Sequence, residues 1–84
     1  MKINVSNLSL NVRNEDLQKR FAAYGEVTSV EVVMDKLANR SRGFAFVDMK
    51  TAAEAENAIR GLNGVMLDHR IIKVNEHKKS EYPF

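Results

Sequence analysis

The stretch RGFAFVDM, residues 42–49, decides how this chain folds. Alternate side chains of a β-strand share a face. Phe44 and Phe46 therefore point the same way, together with Arg42 and Asp48. Ala45, Val47 and Met49 point the other way. Burying Arg42 and Asp48 would be expensive. The spacing therefore predicts that the Ala–Val–Met set packs in the core and the two phenylalanines lie on the opposite face.

Working outward, KINVSN (2–7) alternates, with Ile3 and Val5 on one face and Lys2, Asn4 and Ser6 on the other, and reads as a first strand. NEDLQKRFAAYG (14–25) reads as a helix, with Asn14 as N-cap, Glu15 and Asp16 at its positive end and Gly25 at its C-terminal cap. Leu17, Phe21 and Tyr24 share one of its faces. VTSVEVVM (27–34) is rich in β-branched residues and reads as a second strand. DKLANRSR (35–42) is polar without apolar rhythm and reads as a loop before a third strand over 43–49. Thr51 and Glu54 form a capping-box pattern that opens a second helix. Its inner face is Ala55, Ala58, Ile59 and Leu62, and Asn63-Gly64 ends it. VMLDHR (65–70) reads as a short hairpin, and IIKVN (71–75) as a final strand with Ile72 and Val74 inward. The remainder, EHKKSEYPF, has no periodicity. A domain over 1–77 with a basic, aromatic tail over 78–84 is the expected organisation.

The order is strand, helix, strand, strand, helix, strand, an α+β pattern. Two helices of this length cover one face of a four-stranded sheet and leave the other to water. Phe44 and Phe46 then lie on the bare face. An exposed Phe forgoes about 1.5–3 kcal/mol of burial, in a domain whose net stability is only a few times that. Something is expected to cover the pair. A flat ring pair beside a cation suits stacking of unpaired bases, worth about 1–3 kcal/mol per base. Three other covers stand beside it: Tyr82 or Phe84 of the tail, a second copy of the chain, or a strand phase slipped by one residue.

Size and composition narrow the classes. Eighty-four residues make one domain, too small for a deep water-excluding active site plus a substrate domain. There is no cysteine, hence no disulfide and no thiolate metal site. No apolar run approaches the roughly 18 residues of a membrane span. The first residues alternate and do not resemble a signal peptide. The expected location is intracellular, cytoplasmic or nuclear. Thirteen Lys and Arg against eleven Asp and Glu give a net charge of +2. The isoelectric point of 9.1 reaches the range, about 9, of nucleic-acid-binding domains.

RGFAFVDM resembles the octapeptide signature of the RNA recognition motif family. INVSNL (3–8) is similar to the family's hexapeptide on its first strand. The resemblance covers roughly residues 1–77. It implies a ferredoxin-like βαββαβ sandwich, a four-stranded antiparallel sheet with two helices on one face. By position it implies that Phe46 stacks on a base, Phe44 packs against two sugars and Arg42 contacts phosphate. Asn75, Glu76 and His77 would lie near base edges, and Lys73, Lys2 and Glu31 would line the same face. The implied partner is single-stranded RNA, or single-stranded DNA, bound by a monomer without cofactor, catalysis or membrane. A peptide-binding or self-associating module on the same fold is the alternative.

Two positions depart from the family. Met49 replaces an aromatic on the core side, where Met fills gaps well. Asn4 replaces the aromatic expected to stack a second base. Its amide can hydrogen-bond a base edge but cannot stack, a loss of about 1–3 kcal/mol.

Lys2, Arg40, Arg42, Lys73, Lys78 and Lys79 fall on the open face, its loop or the tail. The acids Glu15, Asp16, Glu54 and Glu56 fall on the helices, while Glu31 and Asp48 share the sheet side. Other signals are weaker. Gly61-Leu-Asn-Gly64 has KH-like spacing but no basic residue inside it, and reads as a helix stop. His69 and His77 are too few for a zinc site. An enzyme of this strand order, a small phosphatase, would need an anion-binding loop after the first strand. NLSLNVRN (7–14) offers only Arg13.

Overall fold

The computed structural model describes residues 1–35, 37 and 40–77, the side chains of 40–42 excepted. The elements are β1 (Lys2–Ser6), α1 (Asn14–Ala22), β2 (Val27–Asp35), β3 (Arg40–Met49), α2 (Ala52–Leu62), β4 (Met66–Leu67), β5 (Arg70–Ile71) and β6 (Lys73–Glu76). Four strands form an antiparallel sheet in the order β2-β3-β1-β6, and β4 and β5 pair separately. Both helices pack on one face of the sheet, α1 mainly against β2 and α2 against β6, β3 and β1. This is the ferredoxin-like βαββαβ sandwich.

The core lies between sheet and helices. Ile3 and Val5 of β1, Ala45, Val47 and Met49 of β3, and Val74 of β6 are buried there with Leu17, Phe21, Ala55, Ala58 and Leu62. The period-2 reading of RGFAFVDM therefore holds, and the slipped phase does not occur. Leu8 and Val12, in the loop between β1 and α1, plug the same core.

Local signals set most boundaries. Glu54 N–H donates to Thr51 Oγ1 at 3.2 Å, so the N-cap of α2 is as read. The Glu54 carboxylate goes elsewhere than a simple capping box requires. It accepts from the Thr51 hydroxyl (3.0 Å) and from the Glu26 N–H (3.4 Å), tying α2 to the turn before β2. At α1 the N-cap is Arg13 rather than Asn14. Asp16, three residues on, accepts from the Arg13 N–H at 2.9 Å. Asn14 Oδ1 instead accepts from Val32 N–H of β2 at 3.0 Å. α1 ends at the Ala23 C-cap, with Gly25 beyond it.

The stretch 35–42 is not wholly a loop. Asp35 pairs with Arg40 and Met34 with Ser41, so β2 and β3 run on as a polar two-stranded ribbon. Backbone pairing needs no apolar side chains. At the other end of the fold, Asp68 (φ +50°) and His69 (φ +69°) form the two-residue turn between β4 and β5, the mirror-image geometry that suits a hairpin. The tail over 78–84, with Lys78, Lys79, Tyr82 and Phe84, lies outside the described residues.

Candidate nucleic-acid interface

The sheet face away from the helices carries the candidate site. Phe46 lies opposite Asn4 on β1 and Glu31 on β2, and Asn4 in turn lies opposite Asn75 on β6. Glu31, Phe46, Asn4 and Asn75 therefore form one row across the sheet. In the next row, Asp48 faces Lys2, and His77 N–H donates to the Lys2 carbonyl. On the other side, Ser6 faces Lys73 and Phe44 comes one residue before Ala45, the partner of Val5. Lys2, Glu31, Lys73, Asn75 and His77 are exposed, and Asn4, Phe44 and Phe46 are half-buried.

The rings are less bare than alternation alone implies because they cover each other. The Phe44 and Phe46 centroids are 6.1 Å apart with planes at 84°, an edge-to-face pair. The His77 ring meets Phe46 at 4.9 Å and 67°. Lys2 Nζ is 5.6 Å from the Phe46 centroid, within cation–π range. These contacts cover part of each ring, and both remain half-exposed.

Of the residues singled out in sequence, Lys2, Asn4, Phe44, Phe46, Lys73, Asn75 and His77 are brought together on this face. The backbones of Arg40 and Arg42 lie in β3, and their side chains lie outside the described residues. Glu76 does not join the face: it pairs with Ile3, so its side chain starts from the helix side of the sheet. His69 sits in the hairpin turn, as its neighbours implied.

Among the described side chains, Lys2 and Lys73 share the face with Glu31 and Asp48, and Asp48 lies 3.6 Å from the N-terminal ammonium. Among the described residues, neither Lys2 nor Lys73 has a carboxylate within ion-pair distance. No group of three or more His, Cys, Asp or Glu able to hold a metal occurs among the described residues. No described helix is long and apolar enough to cross a membrane. A half-buried, edge-to-face ring pair, flanked by amides and, among the described residues, by two lysines without an ion-pair partner, can stack a planar group, hydrogen-bond its edges and neutralise an anion beside it.

One feature that sequence reading missed is Arg70. Its guanidinium is tied to Asn7, 63 residues away, by Nη2 to Oδ1 at 2.6 Å and Nε to the backbone oxygen at 3.3 Å. Nothing local in either segment announces that contact.

This sheet, with both phenylalanine rings on the inner strand β3 and the helices behind, has the layout of a binding module. The chain belongs to the RNA recognition motif family, whose model matches residues 3–73. It is 47% identical over 75 residues to the chloroplastic 29 kDa ribonucleoprotein of Arabidopsis thaliana, covering 89% of this chain but 22% of that protein. It is 42% identical over 81 residues to RbpE of Nostoc sp., covering 96% of this chain and 82% of RbpE. Among solved structures, RNA Binding Protein PG1 superposes with a TM-score of 0.90 at 39% identity, over 98% of this chain and 99% of that one. A Sxl-lethal protein/RNA complex superposes at 0.85 and 31% identity, over 90% of this chain and 47% of that one.

Proposed function

We propose that this chain binds a short stretch of single-stranded RNA on the open sheet face, as a monomer and without catalysis. Phe46 stacks on one base, and Phe44 packs against the adjoining sugars. Lys2, Lys73, Arg40 and Arg42 neutralise phosphates. Asn4, Asn75 and His77 hydrogen-bond base edges. The observation that carries this reading is the Phe44–Phe46 pair, half-exposed on the sheet face and flanked by lysines without acidic partners. Family membership supports it, as does the RNA complex of a relative with the same fold.

With Asn4 in place of an aromatic, one stacking contact of about 1–3 kcal/mol is absent. Affinity is therefore modest and falls steeply with salt, because phosphate neutralisation carries much of it. The test is a titration with a pool of short random RNAs at several salt concentrations, with the matching DNA pool alongside. Saturation at low salt and a steep loss with added salt are expected. A protein that never saturates with RNA at low salt is a peptide-binding or self-associating module instead. Equal affinity for both pools would mean that no residue reads the 2′-hydroxyl.

A further inference from the structure

Where β1 ends, the sheet face opens into a groove of about 770 Å3 lined by Ser6, Asn7, Leu10, Asn11, Phe44 and Arg70 among others. Three observations mark it as more than a crease between loop and strand. First, it is continuous with the ring platform, because Phe44 forms part of both. Second, its wall is fixed. Gly43 holds a φ of +87°, where a side chain would be strained. The Leu8 N–H donates to the Gly43 carbonyl at 2.8 Å, clamping the β1–α1 loop against β3. Third, Arg70 is held in place by neutral oxygens only. Besides its two bonds to Asn7, the Asn7 amide donates to the Ile71 carbonyl at 2.6 Å, and Asn7 itself adopts φ +60°. Among the described residues Arg70 has no carboxylate within ion-pair distance. A guanidinium presents several N–H donors in a rigid fork, so donors remain for a ligand.

A cation oriented in advance, with no carboxylate at ion-pair distance among the described residues, beside the ring to which the proposed function assigns a nucleotide sugar, calls for an anion on the same strand. We infer that this groove is a second subsite, which takes the next sugar–phosphate of the bound RNA with Arg70 on the phosphate. The inference rests on the sheet-face reading and extends it. Asn7 is a positioning residue: it aims Arg70 and touches no ligand. The occupant is backbone rather than base, since the fixed donors suit a phosphate and nothing else in the groove fixes a base plane.

The test compares pyrimidine RNAs of about three nucleotides, enough for the ring platform, with RNAs extended by abasic sugar–phosphates at the 5′ or the 3′ end. For the parent, extension at one end should tighten binding about tenfold at low salt. In Arg70→Gln the short RNA should bind as before and the gain on extension should vanish. The slope of log Kd against log salt for the extended RNA should fall by about 0.7, the loss of one phosphate contact on a single strand. Arg70→Lys keeps the charge without the fork, so it should keep that slope while losing part of the gain. It also carries the test should Arg70→Gln fail to fold. A gain on extension that persists unchanged in a folded Arg70 variant overturns the inference. So does an equal loss on short and extended RNA. Failure of the sheet-face reading looks different: the short RNA then binds Phe46→Ala as tightly as the parent.

Discussion

Replacing Phe46 by alanine separates what the ring does for the fold from what it does for a ligand. The ring makes an edge contact to Phe44 at 6.1 Å, another to His77 at 4.9 Å, and sits 5.6 Å from Lys2 Nζ. Aromatic pairs of this kind are worth about 0.5–1.5 kcal/mol each, and a cation–π contact at an exposed site about 0.5–1 kcal/mol. Because water already reaches the ring, the loss in folding free energy should be about 1.5–3 kcal/mol. In a domain of this size that lowers Tm by roughly 6–24 °C. The variant should still be folded in the cold, and binding is to be measured there, with circular dichroism as the check. Loss of one stacked base costs about 1–3 kcal/mol, or roughly a 5- to 150-fold rise in Kd. The ring carries no charge and releases no counterion, so the salt slope should stay that of the parent. Phe46→Leu keeps much of the apolar cover without a stacking plane. It should recover part of the lost Tm, the ring contacts to Phe44, His77 and Lys2 being gone, and little of the affinity. A folded Phe46→Ala that binds RNA with the parent's Kd would refute the stacking argument. So would a Phe46→Leu that restores both quantities together.

Three further outcomes follow from particular residues. Asn4→Tyr places a ring next to Phe46 in the same row and should tighten binding to generic pyrimidine RNA by up to about 1–3 kcal/mol; a titration without gain would remove β1 from the platform. Gly61→Ala should destabilise the domain by about 1–2 kcal/mol, although a helix interior ordinarily gains up to about 1 kcal/mol from that change. The reason is that the added Cβ would fall on the Tyr24 ring, with Cζ at 2.5 Å and Cε1 at 2.6 Å. In a Tyr24→Ala background the same change should stabilise, and urea unfolding of the four proteins in the cycle measures both signs. His69→Gly, following Asp68, gives the Asp-Gly pair that two-residue hairpins favour and relieves a non-glycine φ of +69°. It should raise the urea midpoint by about 0.5–1 kcal/mol equivalent; a lower midpoint would mean that the imidazole itself contributes.

What the sequence revealed follows the reach of the interactions involved. The core face of β3, the Thr51 cap and the hairpin turn at Asp68-His69 depend on neighbours within a few residues, and all were legible. Asn14 was misassigned because its amide is taken by the Val32 N–H, across 18 residues, while Arg13 and Asp16 cap the helix through the backbone. The polar stretch 35–42 read as loop because composition reports burial, whereas the ribbon there is held by backbone pairing. The Asn7–Arg70 clamp joins a loop to a hairpin that come together only when β1 and β6 pair. No local pattern could have announced it. Of the candidate face, the residues placed by strand parity were legible, and the one dependent on tertiary docking was not.

Strand parity also explains how a departure such as Asn4 can be tolerated. On β1 the flanking residues Ile3 and Val5 are fully buried and pair with Val47 and Ala45, which are buried too. Asn4 stands between them on the other side of the backbone. The small Ala45, Ala55 and Ala58 allow the helices to close over that inner face without help from the outer one. Substitution at Asn4 or Asn75 should therefore leave the packed layer intact and, on the proposed function, alter what the sheet recognises. Substitution at Ile3, Val47 or Val74 does the reverse. Only at Phe46 do the two meet under the proposed function, because its ring contacts Phe44 and His77 and is the one assigned to a base. An aromatic at position 4 would add a second such point, with more affinity and less choice of base. On the proposed reading, asparagine would exchange stacking, which every base satisfies, for hydrogen bonds that depend on which base edge is presented.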